Sequence, residues 1–115
     1  MPTVLNKDGN GMDTLVNSFD ALEQLIYEEG IRIKEIDVHP DMDILLIILN
    51  TGSVLQEKMS KYPRLHNASI AALKNYELIG KGASIHWPEL DEDLSLKGFL
   101  RNTLKNHVVG DSKIV

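Results

Sequence analysis

The densest chemistry in the chain lies in Ile85-His86-Trp87-Pro88-Glu89-Leu90-Asp91-Glu92-Asp93-Leu94. The lone tryptophan stands beside a histidine and a proline, and four carboxylates follow within five residues. Three kinds of chemistry use such a set. Carboxylate oxygens bind hard cations, but the spacing and central glycine of a calcium loop are missing. A carboxylate pair hydrolyses glycosides only across a cleft, and nothing in the sequence supplies an opposing wall. Tryptophan with carboxylates also holds arginine or lysine on a partner. That use makes His86, Trp87, Glu89, Asp91, Glu92 and Asp93 candidate partner-binding residues, together with Arg64 in the connector upstream. A structural role competes with it. Trp87 suits a core anchor whose N–H meets a backbone carbonyl. Carboxylates at 91–93 suit the N-terminal dipole of a helix that follows them.

Other reactive groupings are sparse. His39, His66, His86 and His107 form no i, i+4 pair and no HExxH motif. No G-x-S-x-G elbow occurs, and Gly9-Asn10-Gly11 and Gly80-Lys81-Gly82 match neither a phosphate loop nor a dinucleotide fingerprint. Cysteine is absent, which removes thiolate chemistry and disulfides and fits a reducing compartment. We expect no catalytic residues and no cofactor. The alternative is a small-molecule or divalent-metal site using His86 and the carboxylates after it.

These residues must be positioned by a chain of 115 residues, one domain by length, with 43% apolar and 25% charged residues as in ordinary globular proteins. Its net charge of −5, with scattered bases, argues against direct nucleic-acid binding. The longest strictly apolar run, Ile44 to Leu49, is far short of the ~18 residues of a membrane helix. No basic segment followed by an apolar stretch opens the chain, so the expected location is the cytoplasm.

Met1 to Gly11 reads as a loose arm. Met12, Leu15, Val16, Phe19, Leu22, Leu25 and Ile26 then recur at helical spacing, and Gly30 sits where a left-handed cap belongs. Glu28 and Glu29 stand at the helix end that favours cations, which calls for a positive group nearby. Ile31 to Leu55 reads as antiparallel sheet, its apolar parity switching between Ile33 and Ile36 as at a β-bulge near Lys34–Glu35. Turns fall at His39–Asp43 and Asn50-Thr51-Gly52, and Ile44–Leu49 is a strand apolar on both faces. Asn67 caps a short helix to Lys74 with Ile70 and Leu73 inward. Tyr76–Ile79 and Ala83–Trp87 form a second hairpin. Ser95 caps a last helix with Leu96, Phe99, Leu100 and Leu104 on its apolar stripe. The first helix is acidic outside and the last basic, which reads first as two solvated faces that happen to differ and, more sharply, as two helices lying close, within one chain or across a homodimer.

Two separated stretches carry a family resemblance. Tyr62-Pro63-Arg64-Leu65-His66-Asn67-Ala68, followed by Gly82-Ala83-Ser84-Ile85-His86-Trp87-Pro88-Glu89-Leu90-Asp91-Glu92-Asp93-Leu94-Ser95 and Gly98-Phe99-Leu100, resembles domain-of-unknown-function family 2442. In the similar branch a PRL-x-x-A connector precedes G-I-H-W-P-x-L-D-E-D-L-S; the glycine before the Ile-His pair is Ser84 here. The resemblance spans about Ile31 to Leu100. It implies a compact domain with a three-stranded meander, a short helix and a hairpin. It also implies a setting beside another small protein, as in toxin–antitoxin pairs. Relatives joined to a helix-turn-helix would need further chain after Leu100.

The expected architecture is therefore α+β: a small antiparallel sheet, built as a three-stranded meander plus a second hairpin, with an N-terminal amphipathic helix, a short middle helix and a C-terminal helix. Residues 1–30 form arm and helix, 31–100 the family-like domain, and 101–115 the helix end and tail, all in one globular unit. The expected function is a non-catalytic protein-interaction module, the antitoxin-like or adaptor half of a two-gene pair.

Overall fold

A computed structural model describes residues 21–110, so the expected arm at 1–11 and most of the first amphipathic stripe lie outside the described residues. Helix α1 spans 21–28, and its last turn, Gln24–Glu28, is π-wound, with Glu29 N–H donating to Gln24 O at 2.8 Å. Gly30 turns left-handed at φ 78° and lets Ile31 N–H donate to Leu25 O at 3.0 Å, which closes the helix end. The cation that this end favours is Arg32. Its guanidinium donates to Ile26 O and stands 5.4 Å from the Tyr27 ring centre.

Strands β1 (Ile33–His39), β2 (Ile44–Leu49) and β3 (Val54–Glu57) form an antiparallel meander with β2 in the middle. The register shifts between Ile33 and Glu35, the expected bulge. That extra residue is why Ile33 and Ile36, three apart, both face the core. Along β2 the inward Leu45, Ile47 and Leu49 are buried and the outward Ile44, Leu46 and Ile48 half-buried. Gly52, at φ 93°, supplies the hairpin turn to β3.

The connector tightens into a 3-10 turn at Met59–Lys61, tied back to the first turn by Asp43, whose carboxylate accepts from Ser60 N–H and Ser60 Oγ at 2.7 Å each. These bonds favour the charged carboxylate and hold its pKa below the ordinary value. Helix α2 (Pro63–His66) ends at Asn67, and α3 (Ile70–Lys74) is capped by Ser69, whose Oγ accepts from Ala72 N–H at 3.1 Å. Asn67 thus closes one helix rather than opening the next. Leu73 is buried as expected, whereas Ile70 faces out at 47% exposure.

The second hairpin, β4 (Glu77–Ile79) and β5 (Ser84–Trp87), gains a third strand, β6 (Glu92–Ser95), so the fold holds two three-stranded antiparallel sheets. They meet at Gly82. Its carbonyl accepts from Ile33 N–H at 2.8 Å, and a Cβ there would lie 2.2 Å from Ile33 O. Helix α4 (Leu96–Lys105) follows β6 directly, with Ser95 Oγ accepting from Gly98 N–H at 3.0 Å as expected, and continues as a π-wound segment Asn106–Gly110. Leu96 and Phe99 enter the core, while Leu104 stays exposed. Lys97 Nζ lies 2.8 Å from the Glu23 carboxylate, so α1 and α4 meet within one chain through opposite charges. A single core joins Ile26, both sheets, Met59, Leu65, Leu73 and α4.

Candidate functional site

Strand β5 sends alternate side chains to opposite faces. Ile85 and Trp87 point inward and are fully buried; the Trp87 ring leans on Tyr76 and donates its N–H to Leu73 O at 3.0 Å. Trp87 therefore does not belong to a partner-binding surface. The whole indole is used by the core, and its polar atom by the backbone of α3.

His86 points outward. It pairs in register with Asp93 on β6 and with Glu77 on β4, a row of three titratable side chains across the outer face of the second sheet. Its Nδ1 lies 2.6 Å from Asp93 Oδ1, with the histidine side chain 29% and the aspartate 73% exposed. The pair is open to water on the aspartate side and mostly covered on the histidine side. Around it, Asp91 takes a left-handed turn at φ 50°, and Arg64 donates to its carbonyl oxygen while standing 3.8 Å from its carboxylate. Glu89 accepts from Asn75 Nδ2 at 2.7 Å. The structure thus joins His86 to Asp93 and Arg64 to Asp91, keeps Glu89 on the same exposed turn, and separates all of them from Trp87.

Glu92 goes the other way. Opposite Trp87 in register and half-buried, its charge helps to raise the pKa of Tyr62. Tyr62 belongs to a polar knot that the sequence reading missed. Glu57 ends β3 on the inward parity of Leu55 and is 5% exposed. One of its carboxylate oxygens accepts from Tyr62 Oη and, at 3.5 Å, from Asn102 Nδ2 on α4. The other has no hydrogen-bond partner among the described residues. Burial first, then the bond to Glu57, pushes the Tyr62 phenol well above its usual range and keeps it neutral. Tyr62 and Asn102 also line an open groove of about 300 Å³ between β6 and α4, with Asp93, Leu94, Phe99 and Arg101. The parity of β3 could have found Glu57, since a residue two past a buried leucine shares its face.

Among the described residues no group of three or more His, Asp or Glu side chains could hold a metal ion, so the divalent-metal alternative finds no ligand set there. No helix among them is long and apolar enough to cross a membrane.

The two antiparallel sheets, joined at Gly82, with helices between and after them, define a small α+β domain. Residues 33–104 match the family described as "Protein of unknown function (DUF2442)", and the chain belongs to it. Two solved structures share the fold. A protein of unknown function from Rhodospirillum rubrum is 23% identical with a TM-score of 0.54, over 70% of this chain and 98% of its own. An uncharacterised protein from Chromobacterium violaceum, solved by NMR in solution, is 18% identical with a TM-score of 0.56, over 84% of each chain. No curated protein matches the chain.

Proposed function

We propose that the chain is a non-catalytic protein-interaction module of the cytoplasm, which binds a basic partner through the outer face of its second sheet and the turn beside it. The observation that carries this reading is the in-register row Glu77–His86–Asp93 on the outer face of the second sheet, with Glu89 and Asp91 exposed on the turn beside it. Exposed carboxylates on a rigid sheet steer a cationic partner and set its orientation. The core beneath, anchored by Trp87, holds the face in place. The partner is another protein, and the first to try is the product of the adjacent gene, as in an antitoxin-like or adaptor pair; the opposite charges of α1 and α4 meet within one chain and need no homodimer. Co-expression of the full chain with that neighbour tests the proposal. A stoichiometric complex should form, weaken with rising salt, and lose about tenfold in affinity when Glu89→Gln, Asp91→Asn and Asp93→Asn are combined, the scale of one or two lost charge contacts. A complex indifferent to both salt and these substitutions contradicts it.

A further inference from the structure

Building on that reading, we propose that the groove between β6 and α4 receives one alkylated cation, the guanidinium or ammonium end of an arginine or lysine side chain of the basic partner. The groove has an apolar and a polar half. Leu94 and Phe99, the latter edge-on to Tyr62 with ring centres 6.4 Å apart, suit the methylene stem of such a side chain. The polar half presents Tyr62 and Asn102, the two groups hydrogen-bonded to Glu57, so the buried carboxylate lies one hydrogen bond behind the groove wall.

Charge favours a cation there. The lining itself sets Asp93, paired with His86, against Arg101; Glu57 behind the wall and Glu92 acting on Tyr62 tip the balance toward a cation. A neutral Tyr62 donates its O–H to Glu57 and keeps an oxygen lone pair beside the one facing Asn102 Nδ2, at 3.4 Å, for an incoming N–H. The fold itself makes little use of the Glu57 charge. A glutamine there keeps an oxygen for Tyr62 and Asn102 and avoids burying an ion, whereas the carboxylate leaves one oxygen without a partner among the described residues. A buried charge that the packing does not need is the mark of a binding group.

The test uses the full chain and blocked amino acids: Nα-acetyl arginine, lysine and glutamine methylamides, with ethylguanidinium as a free organic cation. The Asn102 side-chain amide and Gly98 backbone resonances should shift saturably at millimolar arginine or lysine probe, with at least a tenfold weaker response to the neutral glutamine probe. Glu57→Gln should abolish the response while melting at or above the temperature of the unaltered chain. Glu35→Gln, exposed on β1 and outside both the groove and the acidic face, should leave it unchanged. Equal shifts from the glutamine probe, or a response that survives Glu57→Gln, overturn the proposal, and the glutamine comparison needs no substitution. In the complex with the basic partner the same two resonances should move and ethylguanidinium should compete with that movement. A partner that binds through the acidic face without moving them overturns the groove assignment and leaves the face reading standing.

Discussion

The two faces of β5 differ by one residue step and by everything else. Inward, Ile85 and Trp87 are sealed in the core, and the indole N–H is consumed by Leu73 O. Outward, His86 meets Asp93 in water, with Glu77 next in the row. Adjacent residues of one motif thus serve different ends, and a Trp-plus-carboxylate cluster in sequence is not one in space. A period of two separates what proximity in the chain joins.

The largest effect expected from this contrast is on the inner face. Trp87→Ala should destabilise the fold by about 3–5 kcal/mol, the usual cost of deleting a large buried aromatic. Thermal or denaturant unfolding measures it, and a loss under about 1 kcal/mol would return Trp87 to the surface.

Next in size is Tyr62. Tyr62→Phe leaves the buried Glu57 carboxylate without its phenol donor and should cost about 1–3 kcal/mol. The chain has three tyrosines, and a spectrophotometric titration should show one phenol resisting ionisation as pH rises past the ordinary tyrosine range. The sign follows from the raised pKa. The folded state holds this proton more tightly, so the contribution is whole below the unfolded pKa and fades as pH climbs from there toward the folded value. Three phenols titrating together would contradict it.

A smaller effect belongs to Asp43. Its folded pKa is depressed by the Ser60 bonds, so its contribution is present above the unfolded carboxylate pKa and is lost as pH falls through the folded value. Ser60→Ala should therefore lower the melting temperature at neutral pH and make little difference once both states are protonated. A constant difference across that range would contradict the assignment.

The smallest effect is on the outer face. Asp93→Asn should change stability by no more than about 1 kcal/mol, since the pair with His86 is solvent-exposed. A loss as large as that of Trp87→Ala would erase the contrast between the two faces.

Much of the fold is legible in the chain because local rules settle it. The parity switch at Ile33–Ile36 marks the bulge, Gly30 and Gly52 sit where positive φ is needed, and Ser95 caps α4. Where two local readings compete, tertiary context decides. Asn67 and Ser69 are both good caps, and the position of the Pro63 turn gives the role to Ser69. Strand β6 is hidden because Glu92-Asp93-Leu94-Ser95 has one apolar residue and weak strand propensity; pairing with β5 imposes it. The acidic outer face was visible as composition, though not its separation from Trp87. The Glu57 knot was the least legible, since it joins a strand end to Asn102, 45 residues away, and a lone glutamate reads as solvated.

The proposed docking of a basic partner uses the outward side of β5, whereas the inward side holds the core. Amide and indole resonances followed while the basic partner is titrated in test it most directly. The backbone signals of His86, Asp91 and Asp93 should move with the partner while the Trp87 indole N–H stays fixed. An indole that shifts with the partner while those three remain still would contradict the account.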